Sequence, residues 1–176
     1  MTAKKSPAHP CVKIEPLVRK HDRAAFSCGY EELDRYIKER AFQETKKQIS
    51  ASFVLVESRD STVLGYYSLS ATSILLCDMP EKTAKKLPRY PDIPATLLGR
   101  LAVDSRYKGR GHGELLLMDA LRRAFQATTD VASFAIVVDP KDKKSRSFYE
   151  HYEFVAFPDQ NLRMFLPMGT IAGLFA

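Results

Sequence analysis

The sequence predicts a mixed α/β fold with strands and helices layered in one domain. Three observations carry that prediction. Two runs rich in β-branched and aromatic residues, Ala51–Glu57 and Thr62–Ser73, flank a polar turn at Arg59-Asp60-Ser61, the pattern of a β-hairpin. Beyond residue 95, apolar strand-type runs alternate with helical patterns, which implies parallel or mixed pairing covered by helices. A glycine-rich turn, Gly109-Arg110-Gly111-His112-Gly113, joins one of those strands directly to the helix behind it.

Taken in order, Tyr30–Lys47 reads as a helix, because Tyr30, Leu33, Ile37 and Ala41 fall on one face with charges between them. Gly29 ahead of it suits a chain reversal. After the hairpin, residues 78–94 hold Pro80, Pro88, Pro91 and Pro94 and predict an irregular connection with one helical turn at Glu81–Leu87. Ala95–Asp104 is a long apolar run and a central strand. The helix after the glycines spans Gly111–Ala127, with Leu117, Leu121, Ala124 and Phe125 as its buried stripe. Ala132–Val138 is a short continuous apolar strand of the kind buried inside a sheet. Lys143–Tyr152 is a short helix with a basic face, and Leu162–Leu166 is the last strand.

At 176 residues the chain is expected to form one domain, and a chain of this size buries roughly 70% of its unfolded surface without a disulfide or a metal. The apolar fraction of 45% and charged fraction of 27% argue against disordered, collagen-like and coiled-coil classes. No apolar stretch approaches the ~20 residues of a membrane-spanning helix. Met1–Pro7 carries charge with no apolar run behind it, so the expectation is no secretory signal, no membrane partner and a cytoplasmic location. Cys11, Cys28 and Cys77 are scattered and form no C-x-x-C pair, which predicts reduced thiols and no metal site. The net charge of +6 has no basic tail behind it: residues 1–99 carry +4 and residues 100–176 carry +2. The cations gather instead as Lys82, Lys85, Lys86 and Arg89, as Arg100, Arg106, Lys108 and Arg110, and as Lys141, Lys143, Lys144 and Arg146. Any one cluster is explained by a solvated face; three on one small domain leave room for a polyanionic partner.

The glycine-rich turn carries the chemistry. Glycine permits positive φ and close approach of a ligand to the backbone. Unpaired N–H groups at a helix start, together with the helix dipole, form an anion site suited to phosphate. Neither common nucleotide motif fits. A Walker A loop needs Lys-Ser/Thr after its last glycine, where this chain reads His112-Gly113-Glu114. A dinucleotide fingerprint needs a glycine at Glu114 or at Leu116. A purely structural turn is the plain alternative.

The stretch Val103–Gly113 resembles the acetyl-CoA loop of the GNAT acetyltransferases, whose pattern is Gln/Arg-x-x-Gly-x-Gly/Ala and which reads here as Lys108-x-x-Gly111-x-Gly113. Further stretches are similar to one subgroup, the GNAT toxins of bacterial toxin–antitoxin pairs. They are Phe26-x-Cys28-Gly29, Leu33-Asp34-x-Tyr36, Gly65-Tyr66-Tyr67-x-Leu69-Ser70, Pro88-Arg89-Tyr90-Pro91-x-Ile93-Pro94, Leu98–Asp104 and Phe148-Tyr149-Glu150. The resemblance covers roughly residues 14–168. It implies a single-domain GNAT fold over residues 13–168, with a flexible N-terminus at 1–12 and a C-terminal tail at 169–176. It implies a central mixed, mostly antiparallel sheet with helices on both faces, splayed between the strands at about 95–104 and 132–138.

The same resemblance implies a function. Acetyl from the co-substrate acetyl-CoA passes to the α-amine of aminoacyl-tRNA, by direct attack in a ternary complex, and translation is blocked. Tyr149 is the implied general acid. Lys108, Gly109, Arg110, Gly111, His112 and Gly113 are the implied pyrophosphate loop, Leu101, Ala102 and Val103 the strand end that pairs with the pantetheine arm, and Ser145 a further coenzyme contact. Lys85, Lys86, Arg89 and Arg100 are the candidates for tRNA phosphate. The implied partners are a ribbon-helix-helix antitoxin and a second copy of the chain. Three departures stand out: Lys108 replaces Gln or Arg, Pro140 stands where alanine is common, and Glu153 stands where a helix-ending glycine is usual.

Elementary chemistry agrees. Amine attack on a thioester needs N–H donors for the developing oxyanion, which a splayed strand end at Leu101–Val103 would offer. It also needs a proton for the departing thiolate. Thiols titrate near about 8.5 and phenols near about 10, so a tyrosine stays protonated and the transfer is uphill by roughly 2 kcal/mol. An α-amine with a pKa of about 8 is partly neutral at pH 7 and needs no strong base, unlike a lysine near about 10.4. The competing readings are a GNAT enzyme for a protein N-terminus or small-molecule amine, and a non-catalytic CoA-binding module. His112 and His151 are lone histidines, more often structural than catalytic.

Overall fold

The computed structural model describes residues 11–160 and 162–176, so most of the stretch expected as a flexible N-terminus lies outside the described residues. Among the described residues the strands are β1 (Val12–Pro16), β2 (Ala51–Glu57), β3 (Val63–Leu75), β4 (Asp92–Val103), β5 (Ala135–Val138), β6 (Val155–Ala156) and β7 (Met164–Pro167). The helices are α1 (Glu31–Arg35), α2 (Ala41–Lys46), α3 (Glu81–Ala84), α4 (His112–Ala127), α5 (Lys143–His151) and α6 (Met168–Leu174). The strands follow the order β1-β2-β3-β4-β5-β7-β6 in one sheet. β4 and β5 are parallel, whereas β1–β2, β5–β7 and β6–β7 are antiparallel. This is the mixed, mostly antiparallel sheet expected from the sequence. β4 pairs with β5 only from Ala95 to Leu98 and runs on from Gly99 to Val103 without a β5 partner, which is the expected splay.

The chain forms two compact units, one built from residues up to Tyr66 with Ala102–Leu116, the other from Tyr67–Leu101 with Leu117–Ala176. In the first unit, Phe26, Leu33, Tyr36, Ile37, Val54, Val56 and Tyr66 belong to one buried cluster. The helix expected over Tyr30–Lys47 is present but interrupted. α1 and α2 are joined by a π-helical turn, Tyr36–Arg40, in which the Ala41 N–H donates to the Tyr36 carbonyl five residues back. The Tyr66 hydroxyl donates to the Leu33 carbonyl at 2.8 Å just where the ladder widens, and its ring stacks on Tyr36 at 6.2 Å. A side chain entering the helical ladder is a recognised cause of such a break. At the sheet edge, the buried His21 ring accepts from the Val18 N–H at Nδ1, 3.0 Å, and donates from Nε2 to Glu15 at 2.7 Å. Lys13 and His21 together hold the Glu15 carboxyl down at about 2.

In the second unit, Ile74, Ala95, Val137, Phe157 and Phe165 form the buried cluster, with the Phe157 and Phe165 rings 4.9 Å apart. Tyr67 donates its hydroxyl to Asp119 of α4 at 2.6 Å, and Arg122 and Arg123 close ion pairs on the same carboxylate at 2.6 and 2.8 Å. Burial works against charge on Asp119, yet these donors keep its carboxyl below the ordinary range.

Five elements differ from the sequence expectation. β1 and the two-residue β6 are strands, and Met168–Leu174 of the stretch expected as a tail is helical, with Met168 and Ile171 buried. β4 begins at Asp92, three residues earlier than expected, and β5 begins at Ala135, three residues later. Among the described residues, no helix is long and apolar enough to cross a membrane.

Gly65 is closely packed in the first unit. A Cβ there would stand 2.8 Å from Leu116 Cδ1 and 3.0 Å from the Ala102 carbonyl oxygen, and a backbone oxygen has little room to yield. Gly65→Ala is therefore expected to destabilise the protein by about 1–3 kcal/mol, read in a thermal melt as a Tm lowered by roughly 2–10 °C.

Candidate functional site

The first unit carries the glycine-rich loop, and a buried carboxylate shapes it. Asp104, just past the end of β4, is 1% exposed. Its oxygens accept from the Ser27 N–H at 3.2 Å and the Arg106 N–H at 2.9 Å. Arg106 adds a bidentate pair at 3.0 and 3.0 Å. Burial opposes the charge, but the Arg106 side chain and these backbone donors outweigh it and hold the carboxyl below its usual range. Asp104 thereby caps the 3₁₀ turn Ser105–Tyr107 and sends the chain away from the sheet.

The next residues form a backbone cradle. Gly109 and Gly111 adopt φ of +76° and +78°, left-handed values that glycine tolerates best. A Cβ at either position would meet nothing within 4 Å, so that side of the loop is open. α4 starts at His112, and its first internal bond runs from the Leu115 N–H to the Gly111 carbonyl at 3.0 Å. The N–H groups of the first turn therefore lack intrahelical acceptors and sit at the positive end of a 16-residue helix. Alternating glycines at a helix start make a concavity of the kind that binds phosphate. Burial and then Arg110 lower the His112 pKa, which keeps its imidazole neutral at neutral pH.

The cations of the loop are engaged with protein. Arg106 is held by Asp104, the Arg106 and Arg110 guanidinium groups each lie 5.4 Å from the Tyr107 ring centre, and the Lys108 ammonium donates to the Cys28 carbonyl at 2.7 Å. Cys28 itself is buried, and burial followed by the Asp34 carboxylate pushes its thiol up to about 11, so it is not a nucleophile. The open backbone suits a diphosphate. At the end of β4, Ala102 is buried and Leu101 and Val103 are partly buried.

The second unit carries Tyr149. It lies near the end of α5, 8% exposed, with its ring edge-on to Phe148 and to Phe154 at 5.2 Å each. Burial raises the phenol above its ordinary value. Among the described residues, no group accepts a hydrogen bond from its hydroxyl. The helix end fixes its place. Glu153 takes φ of +68°, its N–H donates to the Glu150 carbonyl at 3.0 Å, and the Phe154 N–H donates to the Tyr149 carbonyl at 3.2 Å. This is a Schellman turn, with the Phe154–Tyr149 contact as its apolar clasp. Glu153 thus adopts the left-handed geometry in place of the usual glycine.

Ser145 is placed on the first turn of α5, but its N–H is taken by the Asp142 carboxylate at 2.8 Å as the helix cap. Lys85, Lys86 and Arg89 are exposed, Lys85 pairs with Glu81 at 2.7 Å, and Arg100 is partly buried. Tyr90, beside Arg89, is 67% exposed and presents an aromatic face on the same basic segment. Sequence reasoning did not single out Asp104 or Tyr90 as site residues. The signal for Asp104 was a lone acid among four cations. Among the described residues, no three His, Cys, Asp or Glu side chains gather as a metal site.

Known proteins share this sequence and this fold. The acetyltransferase (GNAT) family matches residues 17–154. A probable toxin, TacT, of Sinorhizobium fredii (strain NBRC 101917 / NGR234) is 35% identical over 169 residues, covering 92% of this chain and 93% of that protein. A tRNA-acetylating toxin of Mycobacterium tuberculosis (strain ATCC 25618 / H37Rv) is 36% identical over 147 residues, covering 84% of this chain and 86% of that one. Among solved structures, KacT, as a tyrosine-to-phenylalanine variant, superposes with a TM-score of 0.89 at 30% identity over 94% of this chain and 99% of that chain. AtaT complexed with acetyl-methionyl-tRNAfMet gives 0.87 at 28% identity, over 94% of this chain and 99% of that one. A variant AtaT toxin bound to the C-terminus of its antitoxin AtaR and to acetyl-CoA gives 0.78 at 25% identity, over 93% of this chain and 97% of that one.

The helix end beside Tyr149 yields a prediction. A left-handed non-glycine residue costs about 1 kcal/mol relative to glycine. Glu153→Gly is expected to raise the Tm by roughly 2–4 °C in a thermal melt, with the Schellman bonds retained.

Proposed function

The chain belongs to the acetyltransferase (GNAT) family, and from that premise we propose that it acetylates the α-amine of aminoacyl-tRNA and so acts as a translation-blocking toxin. As a GNAT acetyltransferase it uses acetyl-CoA. The observation that carries the proposal is the likeness over 84% of the chain to a tRNA-acetylating toxin at 36% identity. The exposed Lys85, Lys86 and Arg89 of the second unit fit the same reading, with these and the partly buried Arg100 meeting RNA phosphate.

The residues have distinct roles in this reading. The backbone from Gly109 to Gly113 holds the coenzyme diphosphate, with Lys108 before it and the β4 end, Leu101–Val103, lying along the pantetheine arm. Ser145 enters through its side chain, since its N–H is already bonded. When bound, the coenzyme supplies an activated acetyl thioester. The Tyr149 hydroxyl holds a proton that no neighbouring acceptor draws on, and burial keeps it there at any physiological pH. That proton is the one a departing thiolate needs. Burial weakens the phenol as an acid. An α-amine acceptor is partly neutral near pH 7, which removes the need for a general base. We further propose that the chain works in the cytoplasm as a homodimer, silenced by a ribbon-helix-helix antitoxin.

The test is transfer to charged tRNA. Purified chain, acetyl-CoA and aminoacyl-tRNA are expected to give N-acetylated aminoacyl-tRNA by mass spectrometry. Tyr149→Phe is expected to lower kcat by roughly 100-fold or more, with CoA affinity little changed. Acetylation of a protein N-terminus or small amine, with charged tRNA untouched, would overturn the acceptor.

A further inference from the structure

The stretch Ser27–Gly29 is bonded to the root of the coenzyme loop at three points within the first unit. The Ser27 N–H donates to Asp104 at 3.2 Å, the Ser105 N–H donates to the Ser27 carbonyl at 2.8 Å, and the Lys108 ammonium donates to the Cys28 carbonyl at 2.7 Å. On its far side, the Cys28 N–H donates to Asp34 of α1 at 2.8 Å. Gly29 turns the chain at φ of +94°, and a Cβ there would lie 3.9 Å from the Lys108 ammonium. A charged donor on a carbonyl makes one of the stronger hydrogen bonds.

We infer that Lys108 is a positioning residue, which ties the coenzyme loop to the Ser27–Gly29 segment and through it to α1, and is not a ligand of the diphosphate. The motif places a cation at Lys108, and charge alone would assign it to phosphate. The geometry gives its ammonium a protein partner, as it gives Arg106 one in Asp104. Diphosphate recognition then falls to the open N–H groups of Gly109–Gly113, whose arrangement depends on how firmly the loop root is held. The inference rests on the coenzyme-loop reading and is independent of which amine accepts the acetyl group.

Two variants separate position from charge. Lys108→Gln keeps an N–H donor and removes the charge, whereas Lys108→Met removes both. Calorimetric titration with CoA at several KCl concentrations is the readout, with amide exchange of the ligand-free protein at Ser27 and Ser105 beside it. The expected result is a Gln variant within about threefold of wild type and a Met variant about fivefold or more weaker. The salt dependence should be the same in all three, and amide exchange faster in the Met variant. Equal weakening of both variants with a flattened salt dependence would show that Lys108 pairs with the diphosphate and overturn the inference. Unchanged amide exchange in a folded Met variant would overturn it too. If the Met variant does not fold, the Gln variant decides alone: an unflattened salt dependence at near wild-type affinity supports the role, and a flattened one ends it. A wild type that bound no CoA would remove the coenzyme reading, and this inference with it; failure on charged tRNA would leave it standing.

Discussion

A carboxylate buried at the end of β4 organises the loop beyond that strand. Asp104 is almost fully enclosed, and an enclosed charge is costly unless every oxygen is met. Here a bidentate guanidinium and two backbone N–H groups meet it, drawn from Arg106 and from Ser27, 77 residues earlier in the chain. The net result is a carboxyl that titrates below its ordinary range. Its charge therefore persists through the ordinary carboxylate range, whereas the stability that charge confers is full only above that range and drains away as pH falls through it to the depressed value. Beyond that anchor, Gly109 and Gly111 take left-handed φ just ahead of α4.

Tyr149 is held by different means. It has no charge to satisfy, and among the described residues no hydrogen bond orients its hydroxyl. Its ring is clasped by Phe148 and Phe154, and its carbonyl closes the helix end. A phenol placed by packing alone keeps its hydroxyl proton uncommitted. The cost falls on Glu153, which carries the positive φ that lets Phe154 fold back. The loop is thus set by hydrogen bonds and the phenol by packing.

Much of this was legible in the sequence because it rests on local pattern. The i, i+4 stripe of Leu117, Leu121 and Ala124 marked α4, the two β-branched runs marked β2 and β3, and the alternating glycines marked the loop. What escaped was non-local. β1 and β6 are five and two residues long and exist because neighbouring strands accept their hydrogen bonds, a fact no short window contains. α6 has two glycines in seven residues and is anchored by the burial of Met168 and Ile171. The π-helical turn follows from the reach of Tyr66, distant in sequence from Leu33. The same limit applied to side-chain direction. Lys108 and Arg110 stand in the implied pyrophosphate loop; no short window shows that the Lys108 ammonium bonds the Cys28 carbonyl or that Arg110 lies over Tyr107. Glu153 was the exception, since a non-glycine after a helix either accepts left-handed geometry or changes the turn, and the structure shows which.

In the proposed function, a coenzyme diphosphate is held by loop backbone that Asp104 keeps in shape. Calorimetric titration of Asp104→Asn with CoA tests that claim most directly, with a thermal melt to confirm a folded protein. The expected affinity is at least about tenfold weaker than wild type, because the neutral side chain cannot hold Arg106 and Ser27 together. A folded Asp104→Asn protein that bound CoA within about twofold of wild type, below the scale of one lost hydrogen bond, would contradict it.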